Sequence, residues 1–404
     1  MKHLLIGRTL IVAAMLFGST SIADIVVPKE INETDITIRR TDSSQSDEIG
    51  VLPFGESREW MGSTANWYEI RMTDGQPGFV SKRAARLIRT PPEKEVDELR
   101  IHYLNVGSGA CTLVECPGPD APPMVVDCGS VGAFSFDLDG PKAATYIRNV
   151  LASHATAPNV VISHPHTDHY DLIPDILAGI QTQNIWLGGD ESGYKQAKFP
   201  QWKEAQENGN AELHVDHAAD FHNNEQPMDP DVLGCGLADV FTLTVNTGNG
   251  PNPNSHVMEI RYADFGATFT GDAEGITEEQ ADANYAGNVK TTVLSASHHG
   301  ASSHGSNDPD WIDSTEPEIV IFSTGPRFGH PRCNVVERYE DTLAMAPAHP
   351  THCGDNSGFR RESASQLAKY VTATNGLIVI TSDGTAPVEL FCDGQSNCTA
   401  EIEH

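Results

Sequence analysis

The chain predicts a small all-β unit followed by a larger α/β unit, and three observations carry this. Between Asp24 and Ile88, short strand-like runs ("DITIRR", "EIGVLPFG", "REWMG", "NWYEIRM", "PGFVSK") alternate with polar or glycine-containing turns. From Leu99 onward, apolar strands ("LRIHYLNVG", "MVVDCG", "NVVISH", "ATFTGD") alternate with stretches of helical periodicity ("PKAATYIRNVLASH", "DLIPDILAGI"). Those strands stop at Gly, Asp or His, which places polar chemistry in loops held by rigid strands. A length of 404 residues suits two or three domains of roughly 150 residues each.

Taken in order, residues 1–23 read as an export signal. Lys2 and Arg8 form its positive start, "TLIVAAMLFG" its apolar run, and "SIA" the small residues before cleavage at Ala23 and Asp24. That run is too short to span a bilayer, which takes about 20 residues. An uncleaved anchor is the alternative, and no later segment is long and apolar enough to cross. Residues 24–90 form the all-β unit. Residues 91–98, inside "RTPPEKEVDE" with its Pro pair and charge run, form a linker. Residues 99–392 form the α/β unit, and 393–404 a C-terminal tail.

The eight cysteines (Cys111, Cys116, Cys128, Cys235, Cys333, Cys353, Cys392, Cys398) follow the signal, as expected of disulfide staples in a periplasmic or secreted protein. Eight cysteines allow 105 pairings, and only the short step from Cys392 to Cys398 suggests a local bridge. With no C-x-x-C pair, a zinc ribbon or thioredoxin-like centre is disfavoured. A net charge of −30, from 26 basic and 56 acidic residues, repels phosphate backbones and anionic membranes and so disfavours general nucleic-acid binding. Solubility in a salty medium accounts for such a surface equally well.

The chemistry concentrates in "VISHPHTDHYDL", Val161 to Leu172. After the buried strand "NVVIS", His164 and His166 at positions i and i+2 can direct two imidazoles at one cation. Asp168 and His169 can face a second. Zinc favours such N and O donors, and a catalytic site leaves one position open. Four candidate ligands at this spacing are far more specific than an isolated histidine.

This segment resembles the signature of the metallo-β-lactamase fold, an αββα sandwich with a dinuclear site at one edge. The resemblance implies that Asp127 in "VVDCG" supports the metal loop, that Asp272 in "ATFTGD" bridges two ions, and that His299 in "SASHHG" is the last ligand. His298 is then a contact to substrate phosphate, or the ligand in place of His299. "IHYLNVGSGACTL", "NPNSHVMEIRY", "SASHHGASS", "STGPRFGHP" and "ATNGLIVITSDG" follow the order of the extracellular domain of ComEC-type DNA-uptake proteins, over about Leu99 to Leu390. The metal ligands it implies are His164, His166, Asp168, His169, Asp272 and His299; the catalytic residues are Asp168, His298 and His330. Ser302, Asn254 and Ser255 match relatives' loops too, although each also reads as a turn or cap.

Two departures stand out. The family's "D-H-x-G-G" is here Asp168-His169-Tyr170-Asp171-Leu172, and the usual third histidine is missing. His214, His217 and His222 occupy its interval inside a polar insertion. His102, His154 and His304 read as ordinary strand, surface and rim histidines. The expected cofactor is two divalent ions, zinc with manganese as alternative, and single-ion occupancy is allowed by the missing histidine.

The all-β unit resembles a bacterial SH3-like domain, through Ile38-Arg39, Asn66-Trp67-Tyr68-Glu69-Ile70 and Gly78-Phe79-Val80. Such domains bind cell-wall glycans or peptides, while Trp60, Trp67 and Phe79 serve equally well as core and scaffold. Together these readings describe an exported metal-dependent hydrolase that cleaves a small or cell-envelope phosphodiester with hydroxide generated at the metals. Lactam, lactone or ester hydrolysis on the same fold, or a wall-binding protein with a structural metal site, are the alternatives.

Overall fold

The computed structural model describes residues 24–29, 35–54, 56–88, 94–132, 140–196, 198–215, 227, 233–355, 358–385, 387–392, 398 and 400–402. The expected export signal and His217 and His222 lie outside the described residues.

In the N-terminal unit seven antiparallel strands pair in the order Glu48–Leu52, Ile36–Arg39, Pro77–Ser81, Trp67–Arg71, Arg58–Ser63, Ile25–Pro28, Ala85–Ile88. Alternation along them sends Val26, Ile36, Ile38, Leu52, Ile70, Val80 and Ala85 into one core. Trp60 and Tyr68 pack on it only partly buried. The first and last strands, Ile25–Pro28 and Ala85–Ile88, pair with each other, and neither was evident from sequence.

The rest of the chain is a mixed α/β structure built on two large sheets. The larger runs Glu212–Val215, Asn184–Leu187, Asn159–Ile162, Met124–Cys128, Cys111–Glu115, Leu99–Tyr103, Ile378–Ser382, Val388–Cys392, Ala400–Ile402. The smaller runs Asp239–Thr244, Val257–Tyr262, Phe265–Phe269, Val293–Ser295, Ile319–Phe322, Lys369–Val371.

Both faces of each sheet are covered, which is why these strands read as continuous apolar runs. Val126, Val161 and Trp186 of the larger sheet share a core with Ile260, Phe269, Val293 and Ile321 of the smaller. Their sequence neighbours point the other way. Val125, Val160 and Ile185 meet Ile147, Ile176 and Phe199 of the helices Gly140–Leu151, Ile173–Ile176 and Lys198–Asn208. Leu294 and Val320 meet Ala281, Trp311 and Val336 of the helices Gly275–Asn284, Pro309–Thr315 and Cys333–Tyr339. The layers are therefore helix, sheet, sheet, helix. Each fully buried Val, Ile or Phe contributes about 1.5–3 kcal/mol.

Several elements differ from the sequence expectations. "DLIPDILAGI" (Asp171 to Ile180) is helical only over the single turn Ile173–Ile176, with Pro174 in its first turn, where a missing N–H is tolerated; a separate turn, Thr167–Tyr170, precedes it. The segment 393–404, read as a tail, instead supplies a strand. Ala400–Ile402 pairs antiparallel with Val388–Leu390, and the Cys392–Cys398 disulfide closes the reversal. The hairpin Met345–Asp355 with Gly358–Leu367 was not evident, since its prolines and charges carry no strand-like alternation. The remaining disulfides are Cys111–Cys128, Cys116–Cys235 and Cys333–Cys353, the four being consistent with an oxidising extracellular or periplasmic setting. Among the described residues no helix is long and apolar enough to cross a membrane.

Candidate metal centre

The parallel strands Asn159–Ile162, Phe265–Phe269, Val293–Ser295 and Ile319–Phe322 feed loops that converge. The loop after Ile162 carries His164, His166, Asp168 and His169, and the loop after Phe269 carries Asp272. The loop after Ser295 carries His298 and His299. Two trios result, each with donor atoms within 4.8 Å of one another: His164, His166 and Asp272; and Asp168, His169 and His299.

Backbone close approach holds the ligand loop in place. A Cβ on Gly129 would stand 2.2 Å from the Thr167 carbonyl oxygen and 2.5 Å from the His169 nitrogen. One on Gly109 would stand 2.7 Å from the Asp168 carbonyl oxygen, so only glycine fits either position.

Asp272, a member of the first trio, also reaches the second. Its Oδ1 is 3.0 Å from His169 Nε2 and 3.4 Å from His299 Nε2; its Oδ2 is 3.6 Å from both His164 Nε2 and His298 Nε2. Asp168 Oδ2 is 3.6 Å from His299 Nε2. The outer ring nitrogens are committed elsewhere. His169 Nδ1 donates to Asp127 Oδ2 at 2.8 Å, and His299 Nδ1 donates to the Ser323 carbonyl at 2.7 Å. Ser163 Oγ donates to Asp127 Oδ2 at 2.8 Å and lies 3.0 Å from His164 Nδ1.

These commitments leave Nε2 lone pairs facing inward, and two of them, on His169 and His299, stand 3.2 Å apart. His164 Nε2 and His166 Nδ1 stand 3.0 Å apart. Facing lone pairs repel unless a proton or cation lies between them, so the donor set fits a pair of divalent ions. The carboxylates of the site attract positive charge, a proton or a cation. Burial opposes charge on Asp272, yet His169, His299 and His164 hold its carboxyl well below the usual range. Burial also opposes a proton on His169, yet Asp272 and Asp127 hold its pKa well above the ordinary histidine value.

The structure separates the two adjacent histidines. His299 is in a trio and buried, whereas His298 is half-buried on the other side of Asp272 and belongs to neither trio. The turn that achieves this is strained: His298 has φ 50° and His299 φ 57°, each costing about 1–2 kcal/mol for a non-glycine residue. His330 belongs to neither trio, but its ring lies 6.3 Å from that of His298. Burial, with His299 and Arg332 nearby, pushes its pKa down to about 3, so its ring is neutral near pH 7.

Other expected positions lie outside both trios. Ser255 Oγ accepts from the Asp272 backbone N–H at 3.1 Å, and Asn254 accepts from Gly248 N. Ser302 and His304 are exposed and outside both trios. His214 stacks on Trp186 at 4.3 Å and bonds Asn184, away from both trios. At the "D-H-x-G-G" departure, Tyr170 packs on Tyr194 and Phe199. There Asp171 accepts from Ser130 N at 2.8 Å, and burial pushes its carboxyl up to about 6.

Some features escaped the sequence. Asn252 Nδ2 reaches His298 Nε2 at 3.4 Å, in the same "PNPNS" run (Pro251 to Ser255) but two residues earlier than the position singled out. His102 and His154, read as ordinary, both bond Glu115, at 2.9 Å each, in a buried network away from the centre. Their charge partner lies on a neighbouring strand, which no spacing reveals.

No protein family and no curated protein matches this chain. Among solved structures it is similar to CmlA, a diiron beta-hydroxylase from Streptomyces venezuelae, at 16% identity and TM-score 0.35, covering 62% of this chain and 48% of that one. It is also similar to a mutant of the CmlA beta-hydroxylase at 14% identity and TM-score 0.37, covering 59% and 47%. The chain spans about half the length of these structures.

Proposed function

We propose that this chain is an exported metal-dependent hydrolase of the metallo-β-lactamase type, close to the ComEC-like branch, acting on a small or cell-envelope phosphodiester. The observation that carries the reading is the Asp272 carboxylate, a member of one donor trio that reaches His169 and His299 of the other, with the half-buried His298 beside it. His164, His166 and Asp272 would hold one ion, and Asp168, His169 and His299 the other. Such a pair supplies Lewis acidity and lowers the pKa of water toward about 7.

The chain's own residues do the rest. Asp168 orients the attacking water. His298, with Asn252 and His330 close by, offers neutral hydrogen-bond donors to a phosphoryl oxygen that gains charge in the transition state. The −30 charge favours a small diester over a long polyanion. The N-terminal strands support an SH3-like unit that holds the enzyme near the cell wall, and the disulfides support export to the periplasm or beyond. Zinc is the ion we favour, with manganese as alternative.

Turnover of bis(p-nitrophenyl) phosphate by the mature protein with zinc or manganese, and its loss in His166→Ala, is the test. Full metal occupancy without turnover sinks the phosphodiester reading and promotes the ester or lactam one.

A further inference from the structure

The two adjacent histidines approach opposite oxygens of one carboxylate only because His298, His299 and Gly300 are all left-handed, the glycine at φ 80°. Neighbouring side chains in a helix or strand diverge instead. Strain of this kind persists only where surroundings over-determine it. Backbone bonds from His298 N to the Gly271 carbonyl and from Arg332 N to the Gly300 carbonyl hold the turn, and so does one distant side chain. Asn307 Nδ2 donates to the Ser297 carbonyl at 2.9 Å and to the Ala301 carbonyl at 2.8 Å, bracketing the turn on both sides.

Asn307 is itself fixed at every polar atom. Tyr339 Oη donates to its Oδ1 at 2.7 Å, which settles which end of the amide faces the turn. Its backbone N–H donates to Glu278 Oε1 at 2.8 Å, the next N–H, of Asp308, donates to Oε2 at 2.9 Å, and Arg338 donates to its carbonyl at 2.6 Å. Asn307 and Tyr339 are fully buried and Glu278 nearly so. Asn307 has φ 57°, a conformation asparagine tolerates better than most residues. An amide with two hydrogens is also the only small group that can serve two carbonyls at once.

We infer that Asn307 is a positioning residue for the metal centre, acting through the Ser297 and Ala301 carbonyls to set the directions of His298 and His299. The inference rests on reading the cluster as a metal centre. Asn307→Asp keeps size and backbone tolerance but turns a carboxylate on the two carbonyls, and Asn307→Gly keeps the left-handed backbone and removes the clamp.

The test uses the full mature chain and two readouts: zinc affinity by competition with a chromophoric chelator, and the imidazole nitrogen NMR signals of His299 in metal-free protein. Both variants should bind zinc about 10–100-fold more weakly and lose the Nδ1–H form of His299 that the Ser323 carbonyl holds. Tyr339→Phe, which frees the amide to turn, should shift both readouts the same way by less, and decides the matter if the Asn307 variants do not fold. Folded variants with wild-type zinc affinity and an unchanged His299 signal overturn the inference. A wild-type chain that takes up no zinc refutes the metal-centre reading instead, and the His299 signal still decides the clamp.

Discussion

Asp127 belongs to neither trio, yet replacing it with asparagine should weaken metal binding. Its Oδ1 accepts from Ser163 N at 2.7 Å, and its Oδ2 accepts from Ser163 Oγ and His169 Nδ1, both at 2.8 Å. Asparagine preserves the shape, the first bond and the left-handed backbone that Asp127 adopts at φ 50°. Turned so, its amide nitrogen faces the His169 Nδ1–H as a second donor. One charge-assisted, buried hydrogen bond is lost, about 1.5–3 kcal/mol. The imidazole then favours the other tautomer, whose proton sits on Nε2 where an ion would bind. Loss of such an outer partner costs about 10–100-fold in metal affinity, or about 1.4–2.7 kcal/mol. Zinc competition on the folded Asp127→Asn protein measures this, with urea unfolding of the metal-free form as the companion. Wild-type zinc affinity in a folded variant would refute the argument that Asp127 sets the His169 tautomer.

Two further outcomes follow from groups outside the ligand set. Burial pushes the Glu278 carboxyl from 4.5 up to about 7, against the donors from Ser297, Asp308 and Asn307. Its folded pKa exceeds its unfolded one, so its stabilisation is present below pH 4.5 and fades as pH rises through 7. At about 1.4 kcal/mol per pH unit this amounts to about 3 kcal/mol, and urea midpoints across this range should slope less steeply in Glu278→Gln. Converting Cys333 and Cys353 to alanine opens a link between residues 20 apart and should cost about 3 kcal/mol by urea unfolding; an unchanged midpoint would show that the hairpin is held without it.

The parts legible in sequence were local ones. His164, His166, Asp168 and His169 share one loop behind one buried strand, so their spacing marked a candidate ligand set, and continuous apolar runs marked the strands that carry Asp127 and lead to Asp272. The same holds for the Cys392–Cys398 bridge, six residues apart. Nothing local separates His298 from His299: identical side chains at adjacent positions differ only through backbone dihedrals, and the groups that bond this turn, Gly271, Asn307, Ser323 and Arg332, come from distant segments. Likewise, Cys116 meets Cys235 across 119 residues, and Glu115 gathers His102 and His154, because sheet pairing and packing bring them together. Hydrophobic period is a property of a short window, whereas hydrogen-bond partners and strained turns belong to the packed whole, and only the tertiary structure could assign them.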